Sequence, residues 1–332
     1  MKEAYEQGRE TSVGAEKKRL NAIKDEIAPW LRDVPYAVLQ SAFDNLFRAY
    51  LNFFHRIKKG EGPAGFPKFK SKRNSRQSFN VRGCLRVSET GIKLPCIGWL
   101  RLAENGYLPM TKRVHILSAT ISTRDHGETW YVSVQVKEEV PEPVPATGEP
   151  LGIDLGIHAL AVLSDGTVYE NVKPLRTAER KVKRLSKELA RRTKGGKNWL
   201  KTKVKLNKAH EHARNVRLHY LHQISSETVA KRPHTIVMED LNISGMVKNH
   251  CLARAIADLG MFELRRQMGY KADWNGCQFK LASQWFPSSK CCSSCGCIND
   301  NLTLADRTYV CPDCGFEIDR DLNAARNLVA LA

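Results

Sequence analysis

Apolar residues in the first sixty positions recur every three or four places. Leu39, Phe43, Leu46, Phe47, Tyr50 and Phe54 share one helical face within a stretch, residues 15 to 58, that reads as two helices. A stripe with this period predicts packing more readily than a base-stacking platform. From residue 78 to 138 the period shortens to two, as in Thr129-Trp130-Tyr131-Val132-Ser133-Val134-Gln135-Val136 after the turn at His126-Gly127, which predicts a small antiparallel barrel or sheet. Residues 140–150 hold four prolines in eleven positions and are expected to separate two domains without pairing as a strand.

Beyond that boundary, residues 151–155 read as a buried strand. Residues 159–163, a turn at Ser164-Asp165-Gly166 and residues 167–169 complete a meander. Helical stripes follow at Val182, Leu185 and Leu189, and, after a break at Gly195-Gly196, at Ala213, Val216, Tyr220 and Ile224. A strand over 234–239, a turn at 242–245, a helix around 252–269 and a strand near Gln278-Phe279-Lys280-Leu281 come next.

Charge changes the picture. The 332 residues carry 53 Lys and Arg against 35 Asp and Glu, a formal net charge of +18, and such a balance favours polyanionic partners, nucleic acid above all. A membrane is the other polyanionic surface, but no apolar run approaches the roughly 18 residues of a spanning helix. Residues 1–6 show no apolar signal segment. Ten cysteines without an export signal point to thiols kept reduced in a cytoplasm and used on metals.

The basic residues are concentrated in two places. Gly65-Phe66-Pro67-Lys68-Phe69-Lys70-Ser71-Lys72-Arg73 alternates cations with two rings, and suits either a nucleic-acid backbone with stacked bases or a solvated loop whose Phe66 and Phe69 anchor it to a core. Between residues 173 and 217 there are seventeen Lys and Arg against Glu179, Glu188 and Glu211. Charged helices are usually solvated faces. The density here favours a backbone-binding helical pair, with Arg180, Lys181, Lys183, Arg184, Lys187, Arg191, Arg192, Lys201, Lys203 and Lys205 as candidate contacts beside Lys68, Lys70, Lys72 and Arg73.

Carboxylates supply the candidate chemistry. Asp154 closes the first strand of the second domain, Glu239 closes the strand over 234–239, and Asp319 and Asp321 open a final helix. A single such acid is more often a turn or cap residue. Two strand-end acids and one helix-start acid in a basic chain form a pattern that suits divalent cations, because hard ions take several oxygens from separate segments and an unmetallated cluster would repel itself. The other metal signal is Cys292-x2-Cys295, fifteen residues, then Cys311-x2-Cys314, the spacing of a zinc ribbon. Cys291 and Cys297 crowd the first knuckle. Cys292 and Cys295 are preferred because Cys295-Gly296 mirrors Cys314-Gly315. A site made of four cysteines has no open coordination position and is structural. Cys84, Cys96, Cys251 and Cys277 are scattered and read as buried reduced thiols.

Gly152-Ile153-Asp154-Leu155-Gly156-Ile157, Val237-Met238-Glu239-Asp240-Leu241-Asn242, Cys311-Pro312-Asp313-Cys314-Gly315 and Asp319-Arg320-Asp321-Leu322-Asn323-Ala324-Ala325 resemble the RuvC motifs and zinc ribbon of the TnpB/OrfB proteins. These are transposon-encoded relatives of compact type V CRISPR effectors. Val38-Leu39-Gln40 and the segment 65–71 extend the resemblance over most of the chain.

The resemblance implies an α/β architecture with a β-rich amino-terminal part. Its divisions would be a helical recognition region over 1–77, a wedge-like β-barrel over 78–140, a proline-rich linker over 141–150, and an RNase H-like (RuvC) nuclease domain over 151–332 with the ribbon inserted at 287–317. It implies a guide RNA from the transposon end, a target DNA cut beside a short adjacent motif, and a prokaryotic, nucleoid-associated cytoplasmic protein. Asp154, Glu239 and Asp321 become the catalytic acids, with Asp319 the less favoured third member. The order Asp, Glu, Asp differs from retroviral-type transposases, whose third acid is Glu. The expected mechanism is two-Mg²⁺ hydrolysis, Asp154 bridging the ions, with zinc in the ribbon. Family members usually begin with a further strand and helix, so this chain is expected to start inside the recognition helices. That leaves a cleavage-deficient RNA-guided regulator or an inactive remnant as the alternative.

Overall fold

The computed structural model describes residues 6–7, 12–60, 65–68, 70, 77–83, 85–108, 110–111, 113–123, 127–303 and 305–332. Lys72, Arg73, Phe69 and Cys84 lie outside the described residues. The chain divides into two units, Met1–Val140 and Pro141–Ala332.

In the first unit, α1 (Val13–Ile27) starts at Ser12, whose Oγ accepts from the Ala15 amide at 3.1 Å. A 3-10 turn, Pro29–Asp33, leads to α2 (Tyr36–Lys59). The stripe expected on α2 is only partly core. Tyr50 is buried, whereas Leu46 and Phe54 are 41% and 38% exposed. Phe53, one place off the stripe, is buried instead, and Phe66 stacks on it with ring centroids 4.7 Å apart. Phe66 is thereby used for packing against its own chain.

Alternating residues then form β1 (Gln77–Arg82), β2 (Arg86–Val87), β3 (Gly91–Leu94), β4 (Gly98–Arg101), β5 (Val114–Thr123) and β6 (Trp130–Glu138). These make two antiparallel sheets, β1-β5-β6 and β2-β3-β4. Val81, Ile92, Leu94, Ala119 and Ile121 from both sheets share one core, with Val38 of α2 packed on it. No backbone pairing joins the sheets into the expected barrel among the described residues. Strands of two to four residues leave too little length for the tilt and stagger that closure requires.

In the second unit, β7 (Leu151–Leu155), β8 (Ala159–Leu163) and β9 (Val168–Glu170) form an antiparallel meander, followed by α3 (Pro174–Arg191) and α4 (Lys197–Ala230). Next come β10 (Thr235–Glu239), the short α5 (Ile243–Met246), α6 (Ala253–Leu259), α7 (Met261–Trp274) and β11 (Gln278–Ala282). The helix expected around 252–269 is thus two helices interrupted at Gly260. The chain ends in β12 (Thr308–Val310), β13 (Glu317–Asp319) and α8 (Arg320–Val329). The central sheet has the order β11-β10-β7-β8-β9, with β10 parallel to both β7 and β11.

Strand alternation assigns the two faces. Leu151, Ile153, Leu155, Ile236 and Met238 join Leu221 and Ile224 of α4 and Leu264 and Met268 of α7 in the main core. Val237 and Ala282 point the other way, onto Leu328 of α8. Val216, expected on the buried stripe of α4, is 39% exposed.

The proline-rich segment forms no strand, yet single backbone bonds tie it to the second unit. The Ala146 amide donates to the Gly276 carbonyl at 2.8 Å, and Gly148 exchanges bonds with Arg232 and His234 at 3.0 and 2.9 Å. The prolines lack an N–H, but the residues between them keep theirs.

At Gly152 the second unit leaves no room for a side chain. A Cβ there would fall 1.9 Å from the Ala325 carbonyl oxygen, so α8 lies directly on the strand backbone. Gly152→Ala is expected to destabilise the unit by about 3 kcal/mol through overpacking, measured as a lowered urea midpoint; an unchanged midpoint would show that α8 does not dock as described.

Candidate active site

Asp154 sits two residues beyond Gly152, on the same face of β7 and hence on the side covered by α8. The parallel pairing of β7 with β10 matches Ile153 to Met238, so one step further Asp154 and Glu239 lie side by side where the two strands end together. The third candidate arrives with the helix. Asp321 stands in the first turn of α8.

Asp319 and Asp321 have different surroundings. Asp319 is exposed, and its Oδ1 accepts the Asp321 and Leu322 amides at 3.0 Å each, so it is the N-cap. Asp321 is part-buried and bonded to the Arg320 guanidinium at 3.2 Å, with Arg307 at 3.8 Å. Its charge reaches Asp154. Burial, then Glu239, then Asp321 push the Asp154 carboxyl up to about 8, against a smaller opposing effect from Arg320.

Side chains that the motifs did not single out hold this arrangement. The buried Ser288 hydroxyl donates to Glu239 Oε1. The Ser288 carbonyl accepts from Asn327 Nδ2 at 2.7 Å, and the Cys291 carbonyl accepts from Asn327 and Asn323 at 2.6 and 2.7 Å. Helix α8 is therefore tied by two amides to the segment that touches Glu239. Two Asn four places apart on an otherwise apolar helical face were the available sequence signal, since buried amides need partners; Ser288 gave none.

The four expected cysteines converge. Their sulfurs lie within 4.8 Å of one another, Cys292 to Cys314 at 3.8 Å and Cys295 to Cys311 at 3.5 Å. Among the described residues no other set of three or more His, Cys, Asp or Glu packs its ligand atoms this closely, the carboxylates included. The two knuckles repeat one another. The Cys292 and Cys311 amides donate to the carbonyls five residues on, at 2.8 and 2.9 Å, and Gly296 and Gly315 turn back onto them at φ +80 and +72. Cys291 and Cys297 point their sulfurs at carbonyls instead. The Cys314 amide is the main influence pulling the Cys311 thiol down to about 6. Four thiols with two tight turns fit a soft ion in a closed site, whereas three carboxylates at a sheet edge fit hard ions with open positions.

On the helical pair, Arg180, Lys181, Lys183, Arg184, Lys187, Arg191, Lys201 and Lys205 are exposed. Lys183 is paired with Glu179 at 2.6 Å, Arg192 with Glu188 at 2.5 Å, and Lys203 lies 4.9 Å over the Trp199 ring. Those three are partly engaged within the chain. Lys68 and Lys70 are exposed in the first unit.

A family profile described as "Probable transposase" matches residues 133–250, and one described as "Cas12f1-like, TNB domain" matches residues 262–328. A protein of Streptomyces pristinaespiralis named "Putative RNA-guided DNA endonuclease" is 35% identical over 315 residues, covering 92% of this chain and 74% of the relative. Escherichia coli (strain K12) has a relative named "Putative RNA-guided DNA endonuclease InsQ", 33% identical over 318 residues and covering 91% and 75%. Among solved structures, a Cas12f1-sgRNA-target DNA complex contains a chain that matches with a TM-score of 0.51 at 15% identity, covering 94% of this chain and 75% of that one. The fold is therefore the mixed α/β fold of Cas12f1. The chain itself belongs to the TnpB/OrfB family.

A raised carboxyl makes a testable statement about stability. The folded chain holds a proton on Asp154 that the unfolded chain releases near pH 4, so without Mg²⁺ the contribution of this one group to stability is fully present below about pH 4 and is lost as pH rises to about 8. Asp154→Asn is expected to remove most of that decline and to be more stable than the parent at pH 8 by about 2 kcal/mol or more, measured by urea unfolding; equal pH profiles would contradict the electrostatic picture.

Proposed function

We propose that the chain is an RNA-guided DNA endonuclease with an RNase H-like (RuvC) catalytic domain in its second unit. One observation carries this reading: Asp154, Glu239 and Asp321 come from three chain segments to one end of one sheet face, and Asp154 responds electrostatically to the other two. The sheet order and the Cas12f1-like fold support the domain assignment. The names of the relatives support guide RNA and target DNA as the partners.

Asp154, Glu239 and Asp321 would hold two Mg²⁺ ions, which when bound supply an activated water and a counter-charge for the leaving 3′ oxygen. Without cations, Arg320 and Arg307 offset the charge of Asp321, and the proton on Asp154 relieves the rest. Ser288 holds Glu239 in place, and Asp319, by capping α8, leaves Asp321 available. The exposed cations of α3 and α4 track the phosphates of the guide–target duplex, leaving sequence choice to base pairing. Zn²⁺ in the Cys292, Cys295, Cys311 and Cys314 site keeps the ribbon folded beneath Asn323 and Asn327. Among the described residues no helix is long and apolar enough to cross a membrane. The bacterial relatives, named for action on DNA, support the cytoplasm as the place of work.

The function is tested with purified protein, transposon-end RNA, target plasmid and Mg²⁺. Asp154→Ala is expected to lower cleavage by at least about 10³-fold while leaving nucleic-acid affinity within error. Cleavage that persists in the variant would refute the assignment, and an inactive parent that binds its target would favour the regulatory alternative. Metal analysis should find one zinc per chain, and Cys311→Ser should lose it together with thermal stability; retention of zinc would displace the ribbon assignment.

A further inference from the structure

One oxygen of Glu239 is already engaged inside the protein. The Ser288 hydroxyl donates to Glu239 Oε1, and Ser288 is only 4% exposed, so little water competes for that bond. The other polar groups of Ser288 are committed too: its amide donates to the Phe286 carbonyl at 2.8 Å, and its carbonyl accepts from Asn327 Nδ2 at 2.7 Å. Phe286 is packed on Val237, Ala282 and Leu328, and the buried Asn327 of α8 also holds the Cys291 carbonyl at 2.6 Å. Ser288 is therefore anchored from both sides and presents a fixed donor to the acid that closes β10.

A fixed donor decides how a carboxylate can meet a cation. Ca²⁺ accepts carboxylates through both oxygens in adaptable shells at about 2.3–2.6 Å, whereas Mg²⁺ demands a near-ideal octahedron at about 2.0–2.1 Å, which the narrow bite of a chelating carboxylate distorts. With Oε1 drawn to Ser288, Oε2 is the oxygen left to face an ion. The hydroxyl also takes up charge on Oε1, which makes that oxygen the poorer ligand of the two. We propose that Ser288 is a positioning residue that limits Glu239 to one metal-facing oxygen and so makes the acidic site select Mg²⁺ over Ca²⁺. The proposal rests on the nuclease reading for the presence of a metal at Glu239, and it assigns the choice of ion to a residue outside the three acids.

The test uses zinc-loaded, full-length protein and Mn²⁺, a hard cation of octahedral habit whose sharp electron paramagnetic resonance signal is lost on binding. Displacing bound Mn²⁺ with Mg²⁺ and with Ca²⁺ gives the ratio of their affinities. Ser288→Ala should move that ratio towards Ca²⁺ about tenfold, the usual scale for losing a residue that orients a metal ligand. Ser288→Thr keeps the hydroxyl and should hold the parent's ratio. Equal weakening of both ions, or no change, in Ser288→Ala would overturn the proposal. A second measurement requires no Ser288 variant: the infrared change on adding Mg²⁺ to the parent should contain the widely separated carboxylate stretches of one-oxygen binding, absent from Glu239→Gln. Closely spaced stretches, the mark of two-oxygen binding, would equally overturn it. If Asp154→Ala and Glu239→Gln both bound Mn²⁺ as the parent does, the metal site and the nuclease reading would fail together. Loss of Mn²⁺ from both with an unmoved ratio in Ser288→Ala would leave that reading standing and sink the assignment of Ser288 alone.

Discussion

Like charges held together against their own repulsion are the constraint around which the second unit is built. Asp154 and Glu239 would separate if their strands could, but the parallel pairing of β7 with β10 places them side by side where the two strands end. That pairing is buried on one face by Leu221, Ile224, Leu264 and Met268 and on the other by Leu328. Asp321 is brought to the same end because α8 presses onto Gly152 with no side chain between them. Hydrophobic burial spread over the sheet thus offsets a local electrostatic penalty, one that the cations of the proposed function would release.

The ribbon belongs to the same construction. Its first knuckle is bonded through the Cys291 carbonyl to Asn323 and Asn327 of α8, and Asn327 also holds the carbonyl of Ser288, whose hydroxyl meets Glu239. A cluster of four converging thiols therefore bears on the candidate site through two amides and one hydroxyl. Trp285 lies on the same loop, so one pinned segment carries a contact to Glu239 and an exposed ring three residues apart.

Residues whose roles follow from local spacing were legible in the chain. The strands of the meander, the break at Gly195-Gly196 and the grouping of the four cysteines announce themselves through period, turn chemistry or ligand spacing. Less legible were positions whose role depends on another segment. The stripe of α2 contained the wrong ring, because which face is buried is decided by the sheets that share its unit. The proline-rich segment forms no strand, as its composition implies, but the bonds that tie it down were not legible, because the acceptors of Ala146 and Gly148 lie about 85 to 130 residues further along. Alternation left barrel and sheet both open and the described residues form two sheets, because alternation specifies a pleat and says nothing of closure.

The amino-acid order by itself determined which residues could carry charge, ligate metal or turn the chain, since these are properties of side chains and near neighbours. Only the tertiary structure decided how they are used. It made Asp319 a cap and left Asp321 to the site, recruited Ser288 and Asn327, and kept Cys291 and Cys297 out of the four-sulfur cluster. The reason is physical: a carboxylate or a thiol is fixed in its role by the donors and charges that other segments bring within a few ångströms, and those segments meet only when the sheet has formed.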